Sequence, residues 1–479
     1  MSVEVISSLV LVALFLVATI WGIQMGALAI VAAFIVGVVF LGMESDAVAA
    51  GFPGDLFIVL AGVTFLFAIA KNNGTVDWLV HAAVQGVKGR VVFIPWVFFF
   101  ITALLTAMGA VVPAAVAIMA PVGMGFAAKY RINVLLMGLM VINGATAGGF
   151  SPISIFGVIT NGVVARNDLA GSPLFLFLAS LVFNIILGMI TFVLFGGRKL
   201  IGVRDQGDGV LVRSDGTLHG DDGDGPDGAD GAGASRTKAG ASRTGGTRTG
   251  ASAAAQTAGP AGSVTSAPTT DAPEETEPVT TLNMIRILTL AGIALVGVGA
   301  FLELDPGFMA FTVAVALSLV DRDGAKGAVG QIAWPTVLLV CGIVTYVSLL
   351  EEIGTIEFLG AQVAAMGAAL VAAVLILYIG GVVSAFASTT GILAALIPLA
   401  VPFLQDDSQI GAIGLITALA ISSSTVDSSP FSTSGSLVVA NAPEEQRDFV
   451  FRRLMQWGFT MVALVPPITW LILVAPGWL

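Results

Sequence analysis

Cysteine occurs once in this chain, histidine twice and tyrosine three times, and charged residues make up only 11%. The lone Cys341 excludes a disulfide within one chain and any cysteine-rich metal cluster; its apolar surroundings make it a small buried hydrophobe. Of the two histidines, His219 falls in a Gly-Asp stretch and His81 on the polar face of an expected helix. So few groups for proton transfer or nucleophilic attack argue against an enzyme. No glycine-rich phosphate loop ending in Lys-Ser/Thr is present, which argues against direct use of ATP. No basic n-region or small-residue cleavage site precedes the first apolar run, so residues 5 to 20 are expected to be a retained span.

Apolar residues are abundant instead: 56% of the chain is hydrophobic and the mean hydropathy is +0.97. A soluble core cannot bury that much apolar surface, so the expected fold is an all-α polytopic membrane protein. Seven apolar runs lie between residues 5 and 195, and seven more between 284 and 475. The stretch between them is dominated by Gly, Ala, Ser, Thr and Asp and holds twelve of the 31 acidic residues. It cannot offset its ordering entropy by burial and reads as a disordered linker. The expected organisation is a first membrane repeat over 1–198, a linker over 199–280 and a second repeat over 281–479.

Two motifs recur across the linker. Gly74-Thr75-Val76-Asp77-Trp78-Leu79 returns as Gly354-Thr355-Ile356-Glu357-Phe358-Leu359. Ser151-Pro152-Ile153-Ser154-Ile155-Phe156-Gly157 returns, at nearly the same spacing between copies, as Ser429-Pro430-Phe431-Ser432-Thr433-Ser434-Gly435. General apolarity explains matched Leu and Val but not matched Gly, Pro and Ser, so the chain is read as an internal duplication. Residues 74 to 88 place Val76, Leu79, Val80, Ala83, Val84 and Val87 on one helical face and Asp77, His81, Gln85 and Lys88 on the other, as in an interfacial amphipathic helix.

The fourth and fifth runs of each half are separated only by Gly109 to Pro113 and by Phe386 to Gly391. Each pair reads as a re-entrant hairpin, over 92–126 and 365–404, leaving five spans per half. An odd number inverts the second repeat relative to the first. With both termini outside and the linker cytoplasmic, thirteen bases fall inside, among them Lys71, Lys129, Arg286 and Arg453, and Arg166 alone falls outside.

A polar, Pro-broken helix is expected in each half, over 133–160 and 410–441. Unwound backbone in lipid is tolerated where it lines a protein-enclosed cavity, and there it becomes a ligand. In the first break Asn143, Thr146, Ser151 and Ser154 supply neutral polar groups, and Gly144 and Gly148 loosen the backbone. In the second, Ser422, Ser423, Ser424, Thr425, Ser428, Ser429 and Ser432 surround Asp427, the only acid placed deep in the bilayer. The tip residues Ser388, Thr389 and Thr390 add hydroxyls, whereas Val111, Val112 and Pro113 of the first tip offer only backbone. Isolated hydroxyls in membrane helices are commonly helix-helix glue; this density favours a site. The expected substrate ligands are Asn143, Thr146, Ser151, Ser154, Ser388, Thr389, Thr390, Ser424, Thr425, Ser428, Ser429 and Ser432. The expected coupling-ion residues are Asp427, Ser422, Ser423, Gly144 and Gly148, with sodium at the two breaks. A buried carboxylate such as Asp427 binds a cation, takes a proton or faces a wet cavity.

Gly54-Asp55-Leu56-Phe57, Gly62-Val63-Thr64, Asn72-Asn73-Gly74-Thr75-Val76-Asp77-Trp78 and Gly144-Ala145-Thr146-Ala147-Gly148-Gly149-Phe150-Ser151-Pro152 resemble carriers of the MatC dicarboxylate (malonate) type. That group falls within the ion-transporter superfamily that includes divalent-anion/sodium symporters. The likeness is strongest over roughly the first 170 residues. The resemblance implies inverted repeats, two hairpins, a homodimer and an elevator-like movement. It also implies sodium sites where each hairpin tip meets its broken helix, and substrate carboxylates held by Ser-Asn-Thr tips. Ser388-Thr389-Thr390 matches with Thr for Asn; Val111-Val112-Pro113 departs.

The resulting expectation is a cell-membrane secondary transporter that imports a small carboxylate, malonate or a C4 dicarboxylate, coupled to Na+ or H+. Its partners are the anion, the bilayer and a second copy, with no nucleic acid and no cofactor beyond the coupling ion. The alternative is a Na+/H+ antiporter on the same architecture.

Overall fold

The computed structural model describes residues 3–85, 90–205, 211–213, 282–302, 304–356, 358, 369–385, 389–401, 404 and 410–477. The greater part of the expected linker and the tip residue Ser388 lie outside the described residues.

The chain is helical, as long apolar runs without water to satisfy their backbone require. In the first half the main helices are α1 (Val3–Trp21), α2 (Met25–Phe34), α3 (Gly54–Asn72), α4 (Thr75–Gln85), α5 (Ile94–Ala107), α6 (Val112–Lys129), α7 (Val134–Gly148), α8 (Ile155–Arg166) and α9 (Pro173–Leu194). The second half supplies α10 (Met284–Phe301), α11 (Pro306–Val320), α12 (Trp334–Glu352), α13 (Ala369–Ser384), α14 (Thr389–Ala400), α15 (Ala412–Thr425), α16 (Thr433–Asn441) and α17 (Arg447–Thr469). Among the described residues five helical stretches are long and apolar enough to cross a membrane: Gly54–Asn72, Val112–Lys129, Pro173–Leu194, Trp334–Glu352 and Glu444–Val474. Others, such as the 15-residue α7 and the 12-residue α8 and α14, are too short to cross alone at about 1.5 Å per residue.

The two halves exchange partners reciprocally. Helix α3 packs along α11, and α2 along α12; likewise α6 packs on α16, and α8 on α14. Within the halves α7 lies between α5 and α9, and α15 between α13 and α17. Two glycine pairs permit the closest crossings. A Cβ on Gly62 would come within 2.8 Å of the Gly307 carbonyl oxygen, and one on Gly342 would overlap that of Gly26. Small residues of this kind let membrane helices approach backbone to backbone, where packing rather than hydrophobicity holds them. Polar clasps reinforce the same seam. The Asn73 amide donates to Thr289 Oγ1 (2.8 Å), and the Ser7 and Thr355 hydroxyls share a hydrogen bond of 2.9 Å.

Helix α4 bears out the amphipathic reading as far as it is described, with Val76 buried and Asp77 and His81 exposed. Two departures concern boundaries. Residues Val203–Asp205 and Leu211–Arg213, inside the expected linker, pair as a short antiparallel ribbon. Leu200 and Val203 are buried there, which anchors the start of the stretch. The helix breaks are also shorter than expected. Helix α7 runs through Asn143 to Gly148, and α15 runs through Ser422 to Thr425. Thr146 and Thr425 return their hydroxyls to the Ile142 and Ile421 carbonyls, so these residues stay helical, and the turns form around Pro152 and Pro430.

Candidate functional site

The two breaks have the same internal wiring. Ser154 donates to the Gly149 and Ser151 carbonyls, and Ser432, at the matching place in the second motif, donates to the Asp427 and Ser429 carbonyls. Each helix then restarts so tightly that a Cβ on Gly157 or Gly435 would overlap the carbonyl of Ser151 or Ser429. Ser154 and Ser432 are therefore structural donors that shape the turn.

At the second break the turn Val426–Ser428 carries Asp427, 7% exposed, into contact with α7, α13, α16 and α17. Its carboxylate accepts a hydrogen bond from Thr389 Oγ1 at 3.0 Å, and Thr389 in turn shares one with Ser384 Oγ at 2.7 Å. The turn after α15 is thus joined to the first residue of α14. Thr390 is buried beside it. The sequence does not single out Ser384: it is one hydroxyl at the end of an apolar run, and only the packing of α13 against α14 brings it to Thr389.

The other expected site residues sort by what their side chains do. Ser424 bonds the Ile421 carbonyl (3.4 Å), Ser428 the Thr425 carbonyl (2.9 Å), and Ser422 shares a bond with Thr469 of α17 (2.8 Å). Ser151 donates to the Ala107 carbonyl at 2.7 Å and fastens the first break to the first hairpin tip. Ser429 Oγ accepts from the Phe431 amide at 3.3 Å. A Cβ on Gly144 or Gly148 would overlap the carbonyls of Phe99 and Ala103, so both glycines seat α5 against α7. Two donors remain unused: Asn143 Nδ2 and Ser423 Oγ are buried with no hydrogen-bond partner among the described residues. A buried donor without a partner is expensive, and a ligand is one way to satisfy it.

Beside the second break lies a cleft of about 250 Å³ bounded by Val382, Ala385, Ser429, Phe431, Met455, Gly458, Phe459 and Val462. With Ser429 its single polar side chain, it offers no anion site of its own. Among the described residues no group of three or more His, Cys, Asp or Glu side chains is placed to hold a metal ion. The polar groups around the second break, Asp427, hydroxyls and backbone carbonyls, are oxygen donors, the kind that suit hard cations.

Residues 1–149 match the family of the dicarboxylate carrier protein MatC N-terminus. The resemblance read in the sequence is thus borne out over that region, which runs from α1 to the end of α7 and includes Asn143, Thr146 and the first hairpin. The Asp427 turn lies in the remainder of the chain, outside the MatC match. Among curated proteins, none matches the chain.

Proposed function

We propose that the protein is a secondary transporter for a small dicarboxylate, coupled to a cation gradient through Asp427. The observation that carries this reading is the Asp427–Thr389 hydrogen bond, which couples a buried carboxylate to the junction of hairpin and broken helix. The MatC match over residues 1–149 supports a dicarboxylate as cargo and a carrier in place of an enzyme. Reciprocal packing of the two halves supports inverted repeats with re-entrant hairpins, and the charge distribution supports termini outside and the linker cytoplasmic.

In this reading Asn143 Nδ2 and Ser423 Oγ donate to the substrate carboxylates. The helix starts at Thr389 and Thr433 direct positive dipole ends toward the same region and stand in for absent Lys or Arg. Thr390 and the free lone pairs of Thr146, Ser151, Ser424, Thr425, Ser428 and Ser429 complete the polar lining. Na+ or H+ sits at Asp427, and the hairpin-and-broken-helix unit moves as an elevator against the seam of α2, α3, α11 and α12, in a homodimer within the cell membrane.

A Na+/H+ antiporter is the second reading, favoured by one observation: Asp427 is a buried acid whose carboxylate is met, among the described residues, by the Thr389 hydroxyl alone. Calorimetric titration of the detergent-purified protein with malonate and succinate, in sodium or choline buffer, separates the two. Saturable dicarboxylate binding strengthened by a cation supports the carrier. Dicarboxylate-independent cation binding alone supports the antiporter.

A further inference from the structure

We propose that the two halves are unequal at their ion sites, and that a single coupling cation, held by Asp427, Thr389 and Ser434, accompanies each substrate molecule. This rests on the carrier reading above and adds a ligand, Ser434, and a coupling number.

The register that sets Ser151 against Ser429 also aligns what surrounds the two breaks. On that register Asp427 corresponds to Gly149, Ser428 to Phe150 and Ser434 to Phe156, and in the tips Thr389 corresponds to Val112 and Thr390 to Pro113. Each of these five positions bears an oxygen in the second half and is apolar or bare in the first, whereas Ser424, Ser429 and Ser432 keep hydroxyl counterparts in Thr146, Ser151 and Ser154. The register is structural as well, because Ser154 and Ser432 make equivalent bonds and Gly157 and Gly435 equivalent close contacts.

The first position is filled. A Cβ on Gly149 would meet Phe156 Cδ2 and Val112 Cγ2, each at 3.1 Å, which leaves no room for a carboxylate or an ion. Phe150 and Phe156 pack ring to ring at 5.3 Å, and both are buried. The second position replaces those two rings with serines. Ser428 bonds the Thr425 carbonyl, but Ser434 Oγ is fully buried with no hydrogen-bond partner among the described residues. Phe156 stands against position 149, and the register assigns its counterpart Ser434 to the side of Asp427. A buried hydroxyl that lacks a partner beside a buried carboxylate is an unfinished coordination shell, and a cation completes it with oxygen donors.

The test is a zero-flux measurement on the whole protein in proteoliposomes, with the membrane potential clamped at zero and radiolabelled succinate as cargo. Sodium is imposed first, and protons if they drive uptake. One cation per substrate means that an inward cation gradient of about tenfold is balanced by an opposing succinate gradient of about tenfold. A balance near a hundredfold would mean two cations and would overturn the inference while leaving the carrier intact. Flux indifferent to any cation would overturn both. As a second arm, Ser434→Ala is expected to raise the half-saturating cation concentration about tenfold with the maximal rate kept, the loss of one hydrogen-bond-strength contact. Ser434→Ala with unchanged cation dependence would remove Ser434 from the site.

Discussion

The hydroxyl of Thr389 donates to the carboxylate of Asp427 at 3.0 Å, so the first residue of α14 is tied to the turn that follows α15. Breaking that bond from either side has different consequences, and these separate coupling from folding.

Asp427→Asn keeps the shape and the capacity to accept from Thr389 but removes the charge. Cation-driven accumulation should be lost, while exchange of labelled for unlabelled dicarboxylate across the membrane continues. Loss of every flux, exchange included, would point to the antiporter.

Thr389→Val copies the valine at the matching place in the first hairpin. A hydrogen bond to a charged group is worth about 1.5–3 kcal/mol, so cation affinity should fall roughly 10- to 100-fold. Thr389→Ser should restore most of it. Titrating the cation dependence of uptake in the two variants checks both statements.

Asn143→Leu and Ser423→Ala remove donors that have no partner among the described residues. Each should weaken dicarboxylate binding by about tenfold and leave thermal stability unchanged or raised, since an unsatisfied buried donor is removed. A fall in melting temperature with unchanged substrate affinity would assign them to packing.

Gly342→Ala places a methyl group against the Gly26 carbonyl, and Gly62→Ala places one against Gly307. Overpacking at such a crossing costs about 1–3 kcal/mol, visible as a lower melting temperature in detergent. Gly125→Ala on α6, where a Cβ meets nothing within 4 Å, should be neutral or stabilising and serves as the control.

The two matching turns were legible because Gly, Pro and Ser at turns are dictated by backbone geometry. The Ser151-Pro152 and Ser429-Pro430 motifs therefore marked two turns that share their hydrogen bonds. Helix ends were less legible: Thr146 and Thr425 satisfy their hydroxyls within their own helices, so a polar cluster did not mean an unwound one. Gly144 and Gly148 looked like loosened backbone but are contact points for α5, since sequence shows a small residue and not what presses against it. Ser384 and Thr469 were missed because each is a single hydroxyl within an apolar run, whereas Ser434 stood among the hydroxyls of the second motif without being singled out as an ion ligand. Their importance comes from neighbours distant in sequence or from a comparison of the halves position by position.

Uptake into proteoliposomes of radiolabelled malonate and succinate, under an inward sodium gradient, an inward proton gradient or neither, tests the central claim most directly. Gradient-dependent accumulation of at least one of these acids is predicted, abolished as net accumulation by Asp427→Asn. No uptake under any gradient, together with sodium-driven proton movement in the same vesicles, would contradict it.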